Sequence, residues 1–392
     1  MRHLKLLILF MVLFSTSALA AVTDSVASKG RVCDFALRAS LNTSAIIPTN
    51  AFLRENRDNN VVISPDLRAA FSFSRDSRLG QMYPGVRQGI GVSGNFILPH
   101  SSLGSPVSAY LFQDVCFLNC SRWSLSAEWN FGVSAGWSHF ADDKFPVNSA
   151  IGSNVNALLG VGLTATYHIN DTWALSATAN AIHYSNGNTK LPNAGVNSIG
   201  MRLGLIYSFD PLPRADLRAG RDFAFRPGME YDLTVYGATR QRATNDSSGD
   251  IIILPGNFGV CGLNFAPMYA FSRYFRAGVS ADFQYDESAN IGRHLVPDTY
   301  GDNVKFYRQS FAERFSAGLS LRAELTLPVF SINFGVGRNI IADGPDTRIF
   351  YQTLALKARI WRGTFVQIGY QLGEFHLPNN LMLGIGYTFS RQ

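Results

Sequence analysis

The sequence predicts an all-β protein, an antiparallel transmembrane β-barrel of the outer membrane with about sixteen strands in two similar halves. Three observations predict it. The chain opens with an export signal. Beyond that signal no run of about 20 uninterrupted apolar residues remains to cross a bilayer as a helix. The rest alternates apolar with polar residues, the period of a strand that shows one face to lipid and the other to a barrel interior. Composition agrees: only 16% of residues are charged, against about 25% in soluble domains, while aromatics reach 12% and thirty-five glycines are spread through the alternating segments. A secreted β-sandwich is the alternative; recurrence of the apolar parity along nearly every strand favours the barrel.

Residues 1–20 form the signal peptide. Arg2 and Lys5 are its positive start, Leu6 to Phe14 its apolar core, and Ala18-Leu-Ala20 its small-residue cleavage site. The apolar run is too short for a spanning helix, and no cysteine sits at the cleavage point to receive a lipid. Its removal lowers the formal charge from +6 to about +4, too modest an excess to indicate nucleic acid as a partner. Cys33, Cys116, Cys120 and Cys261 face an oxidising compartment. Cys116 and Cys120 flank a short turn suited to a local disulfide, and no metal-binding set accompanies any of the four, so they read as structural.

Strands are expected at about 33–46, 60–74, 86–98, 106–117, 122–140, 153–168, 172–185 and 197–209, then at 229–240, 256–271, 274–287, 309–327, 329–338, 348–361, 363–373 and 380–390. Residues 21–209 make a first barrel half, 210–227 a joint rich in proline and arginine, and 228–392 a second half. Connections alternate between long ones, such as Ala141–Gly152, and short ones, such as the turn at Arg362-Gly363. Barrels keep short periplasmic turns and longer external loops. One large barrel and two eight-stranded barrels both leave no lipid-exposed edge, and the single barrel is the preferred expectation. The halves end alike, in Leu191-Pro-Asn193 leading to Leu205-Ile-Tyr-Ser-Phe209 and in Leu377-Pro-Asn379 leading to Ile385-Gly-Tyr-Thr-Phe389.

Only the first half carries a chemically distinctive hairpin. Along Thr172–Ser185 one parity reads Trp173, Leu175, Ala177, Ala179, Ala181, His183, Ser185, so the histidine and serine continue the apolar, lipid-facing side. On the returning strand Asn197 shares that outward face with Ile199, Met201 and Leu203, where it can accept a hydrogen bond from the His183 ring. A serine becomes a nucleophile when a neighbouring base takes its proton and a third group orients that base. Ser185-Asn-Gly-Asn188 supplies a flexible turn, with Asn186 and Gly187 able to take unusual dihedrals. An external position for this hairpin puts the pair at the height of the outer leaflet. A bland alternative is a pair of interfacial polar residues where a strand leaves the membrane.

His183-x-Ser185-Asn186, followed by Pro192-Asn193 and a polar residue at 197, resembles the outer-membrane lipid A 3-O-deacylases of the PagL type. The resemblance covers roughly residues 33–209, and Gly104–Phe112 with Glu128–Gly132 look like segments of longer acyloxyacyl hydrolase-like relatives. It implies a metal-free, cofactor-free ester hydrolase acting on lipid A or lipopolysaccharide of the outer leaflet. Ser185 would be the nucleophile, His183 the base, and Asn193, with Asn186 in the same turn, the oxyanion hole; turn formation alone also accounts for both asparagines. One position departs: Asn197 stands where the family has an acid, normally glutamate. Glu128 falls on the lumen parity, and Asp142 or Asp143 of the preceding long loop is the better placed substitute. Two other functions fit the same strands: a porin-like or structural outer-membrane protein with a relic motif, and an outer-membrane phospholipase. Trp129, Trp137, Trp173 and Tyr207 are expected in interfacial girdles. Arg54, Arg57, Lys144 and Lys190 are loop cations available to phosphate, and His376 with Glu374 reads as loop decoration.

Overall fold

The computed structural model describes residues 33–56, 61–74, 77–98, 102–140, 148–209, 225–245, 251–297, 304–375 and 377–390. The expected signal peptide, the expected joint up to residue 224, Arg57, Asp142, Asp143, Lys144 and His376 lie outside them. No helix among the described residues is long and apolar enough to cross a membrane.

The preferred single barrel gives way to two closed barrels of eight strands each. The first runs β1 (Cys33–Ile47), β2 (Val61–Phe73), β3 (Val86–Gly94) with its continuation β4 (Phe96–Leu98), β5 (Gly104–Asn119), β6 (Trp123–Trp137), β7 (Val155–His168), β8 (Trp173–Ser185) and β9 (Val196–Ser208). Each strand pairs antiparallel with its sequence neighbour, and β1 pairs with both β2 and β9, which closes the ring. Closure depends on which distant edges meet, and alternation within a strand carries no such information. The predicted strand 86–98 is interrupted at Asn95. Its buried side chain accepts from Ser64 (3.0 Å) and donates to the Pro106 carbonyl (3.0 Å) and to Ser108 Oγ (2.9 Å), so the break is fully bonded.

The second barrel comprises β10 (Gly228–Arg240), β13 (Phe258–Ala270), β14 (Phe275–Asp286), β15 (Phe315–Thr326), β16 (Phe330–Ala342), β17 (Phe350–Trp361), β18 (Thr364–Gly373) and β19 (Leu377–Ser390), closed by β10–β19. The pair β11 (Ala243–Asn245) and β12 (Ile251–Ile253) forms a small hairpin within its first long loop.

Alternation dictates both surfaces of the first barrel. Odd-numbered residues of β9 such as Ile199, Met201 and Leu203 are more than half exposed, whereas Ser198 and Arg202 point inward and are buried. Eight strands leave an interior that side chains can fill, and here they are charged. Glu128 receives Arg68 at 3.3 Å and Arg202 at 2.6 Å, Arg68 also reaches Asp66 at 2.9 Å, and Arg38 pairs with Asp114 at 3.0 Å. Ions removed from water persist when paired and hydrogen-bonded, and these pairs join β1, β2, β5, β6 and β9 across the lumen. The second barrel repeats the device around Arg276 and Lys357, which share Asp232 and Glu324. Towards the hairpin end, the first barrel changes to an apolar plug. Phe52 and Leu53 of a one-turn helix (Ala51–Glu55) pack there with Leu103, Ile151, Trp137 and Tyr184.

Two girdle expectations hold and two do not. Trp173 and Tyr207 form an outward ring pair (centroids 4.8 Å apart), and the terminal Tyr207–Phe209 and Tyr387–Phe389 contacts match in the two barrels. Trp137 is only 2% exposed and sits inside the barrel against Tyr184. Gly136, at φ +100°, breaks the alternation one residue earlier and turns Trp137 inward. Trp129 lies mid-strand, opposite Gln113 and Val161, and so at no interface. The local disulfide that Cys116 and Cys120 could close is not formed: all four cysteines are unbridged, and Cys116 Sγ donates to the Leu118 carbonyl (3.3 Å).

Candidate active site

The hairpin β8–β9 presents the predicted residues on one outward face. His183 and Asn197 are directly opposed across the ladder, and Ser185 lies two residues beyond His183 on the same parity. The His183 Nδ1 is 2.7 Å from Asn197 Oδ1, and Nε2 is 2.9 Å from Ser185 Oγ. A carboxamide oxygen only accepts, so Nδ1 carries the proton and Nε2 accepts the Ser185 hydroxyl. Serine, imidazole and orienting acceptor are thereby in series. All three side chains are half-buried and stand at the rim of the apolar outer face.

The turn holds a second arrangement. Asn186 N–H donates to Asn193 Oδ1 (3.0 Å), and Asn186 Nδ2 donates to Ser153 Oγ (3.2 Å). The asparagines are thus tied to each other, the Asn186 backbone donor being spent on bracing Asn193. Left-handed dihedrals fall on Gly187 (φ +65°) and Asn188 (φ +65°) rather than on Asn186. In the second barrel Leu377-Pro-Asn379 starts strand β19 instead of forming a loop, and Asn379 is engaged by Arg240 and Gln371. The two Leu-Pro-Asn segments therefore differ in local structure, although the aromatic pairs that end the two barrels match.

Several contributors carry no motif. Gly195 has φ +76°, and a Cβ there would lie 2.8 Å from His183 Cε1. Only a residue without a side chain allows the imidazole to lie against this backbone. Gly195 N–H donates to Ala150 O (3.0 Å), its carbonyl accepts from Asn50 Nδ2 (3.5 Å), and Asn197 Nδ2 approaches Thr49 Oγ1 (3.5 Å). The loops β1–β2 and β6–β7 therefore fix the entry to β9. A glycine ahead of a strand was the one available signal, and it does not point to a distant ring. Glu128 is inside the barrel, as its parity predicts, and Arg54 is exposed at the end of its helix. Glu374 accepts from Phe350 N–H and serves as a strut.

Below the pair, the outward residues of β8 are Ala181, Ala179 and Ala177. Ala181 and Ala179 lie between larger neighbours, Val161 and Leu163 on β7 and Ile199 and Met201 on β9, whereas Ala177 lies between Ala165 and Leu203. The small residues make a trough that widens at Ala177. It leads into an apolar hollow lined by Ala39, Ala165, Leu175, Ala177 and Leu205. From His183 to Ala177 the strand covers about 20 Å, and at the tilt of about 35–45° usual in such barrels it descends about 15 Å, one leaflet of an about 30 Å hydrocarbon core.

Residues 99–205 match the family model of the lipid A 3-O-deacylase (PagL), and residues 229–391 match that of the acyloxyacyl hydrolase C-terminal domain; together they span more than half of the chain. No curated protein sequence matches it. Among solved structures, the outer membrane enzyme PagL is 16% identical over 43% of this chain and 97% of its own, with a TM-score of 0.31. Neisserial surface protein A (NspA) is 12% identical over 45% and 97%, also at 0.31, and the CymD monoaromatic hydrocarbon channel is 11% identical over 92% and 89%, at 0.18. With one family model in each barrel, the chain belongs to the PagL-type lipid A 3-O-deacylase and acyloxyacyl hydrolase family of outer-membrane β-barrels.

Proposed function

We propose that this protein is an outer-membrane serine esterase that removes an ester-linked acyl chain from lipid A. The observation that carries the proposal is the series Ser185–His183–Asn197 on the lipid-facing surface, with its 2.9 and 2.7 Å contacts. Ser185 Oγ attacks the ester carbonyl while its proton passes to His183 Nε2. The imidazolium, held through Nδ1–H by Asn197, returns that proton to the departing sugar hydroxyl, leaving an acyl-serine. A water then attacks the acyl-serine, His183 takes its proton and gives it to Ser185 Oγ, and the fatty acid departs. Asn193, braced by Asn186, is the donor for the carbonyl oxygen as charge develops there. The alanine trough receives the acyl chain, so the ester arrives at Ser185 from the membrane.

Family membership supports lipid A as the substrate. The test uses purified, folded protein in mixed micelles with lipid A or with phospholipid, measuring released fatty acid. Release from lipid A, unaffected by chelators, is expected. Release from phospholipid alone, requiring calcium, would instead assign a phospholipase. The ion-paired and plugged interior of the first barrel offers no support for a diffusion channel through it.

A further inference from the structure

The second barrel contains a charged cavity unconnected with ester hydrolysis. At its long-loop end, the lumen opens into a cavity of about 110 Å³, several times the about 10–15 Å³ that one water needs. Arg240, Arg242 and Arg314 line it, with Asp286 and Asp346 as the only acids among its described lining residues. Both carboxylates are already satisfied. Asp286 accepts from Arg240 Nη1 (3.0 Å) and from Ser288 N and Oγ (2.8 and 2.6 Å), and Asp346 accepts from Arg242 and from Asn290 N (3.1 Å).

Arg314 is left unmatched. It is 9% exposed, its Nε donates to the Ser310 carbonyl (3.2 Å), its guanidinium lies over the Tyr285 ring (5.2 Å), and no carboxylate pairs with it among the described residues. Arg240, 3% exposed, has a buried Nε with no acceptor. Two neutral lining residues add donors. The Gln284 oxygen is taken by Tyr236 (2.9 Å) and that of Gln371 by Asn379 (3.0 Å), which leaves their amide N–H groups for the cavity. A buried cation without a partner is costly. A cavity of excess positive charge lined with unused donors is built for an anion, and guanidinium forks match a tetrahedral oxyanion.

We propose that the mouth of the second barrel is a phosphate-binding site, with Arg314 and Arg240 as its principal ligands. The phosphate is either a lipid headgroup monoester or free inorganic phosphate.

The experiment measures thermal unfolding of the full chain in neutral detergent against inorganic phosphate, against a short-chain lipid with a phosphate monoester headgroup, and against chloride at matched ionic strength. A saturable rise in Tm with phosphate, absent with chloride, is expected. Arg314→Gln should weaken that binding about ten- to a hundredfold, the loss of a charge-assisted hydrogen bond. Without phosphate this variant should melt no lower than wild type, because it removes a buried unpaired charge; a purely structural Arg314 would make it melt lower. Arg314→Lys keeps the charge without the fork and should bind with intermediate strength. Tighter binding of the lipid than of inorganic phosphate assigns a headgroup, and the reverse assigns the free ion. No saturable effect of either ligand on wild type, or an undiminished effect in Arg314→Gln, overturns the proposal. Neither result bears on Ser185.

Discussion

Replacing Asn197 by Asp tests the proposed relay at the group that orients His183. The exchange is isosteric, and Asn197 is half-buried at the rim of the site, so the new carboxylate keeps contact with water and its desolvation cost is small. In the wild type, Nδ1–H donates to a neutral oxygen at 2.7 Å. A neutral hydrogen bond contributes about 0.5–1.5 kcal/mol and one to a charged group about 1.5–3 kcal/mol. The difference, about 1 kcal/mol or more, appears fully only when His183 becomes imidazolium in the transition state, and so it lowers the barrier. That corresponds to a rise in kcat of roughly fivefold or more. The upper limit is the about 10⁴ lost when a serine-protease triad exchanges its acid for asparagine and the imidazole adopts the wrong tautomer. Initial rates of fatty acid release from micellar lipid A measure the effect, with heat-modifiable gel mobility reporting that the barrel is folded. A folded Asn197→Asp enzyme with an unchanged or lower rate would refute the assignment of Asn197 as the group that orients His183.

Three further outcomes follow from the same geometry. Gly195→Ala places a Cβ 2.8 Å from His183 Cε1, and displacing a catalytic group by about 1 Å can cost about 10²-fold in rate; a loss of that order without loss of the folded band is expected, and wild-type kinetics would contradict it. Ala179→Phe fills the trough on a surface that faces lipid, so stability should not change while KM rises, most for substrates with the longest acyl chain; competition between lipid A species of different chain length measures it. Glu128→Ala leaves Arg202 without its acid and Arg68 with only Asp66. Loss of one partner from a buried pair costs about 3–5 kcal/mol, to be read as a lower urea midpoint; no shift would mean that the lumenal ion pairs do not support the barrel.

The sequence shows local properties of strands well and relations between distant ones poorly. Period-two alternation places His183, Ser185 and Asn197 outward and Glu128 inward, because each follows from parity along a single strand. Parity fails where one backbone dihedral resets it, as Gly136 does for Trp137, and nothing in the composition marks that glycine among thirty-five. Which edges close a barrel is decided between β1 and β9 and between β10 and β19, pairs separated by most of a domain, so one barrel and two read alike in the sequence. The supports of the site, Gly195, Ala150, Asn50 and Thr49, reach it through loops that only the fold brings together. Arg314 likewise reads as an ordinary cation near the start of the expected strand 309–327; the one-turn helix Phe311–Arg314 and its burial in a cavity shared with two saturated aspartates appear only in the fold.

The most direct test of the central claim compares lipid A, by mass spectrometry, from outer membranes carrying the wild-type protein and Ser185→Ala at equal folded abundance. Wild type should convert lipid A to a species lighter by one ester-linked acyl chain, with the matching fatty acid released, while Ser185→Ala leaves lipid A intact. Unaltered lipid A with folded wild-type protein, or equal deacylation by Ser185→Ala, would contradict the assignment of Ser185 as nucleophile of a lipid A esterase.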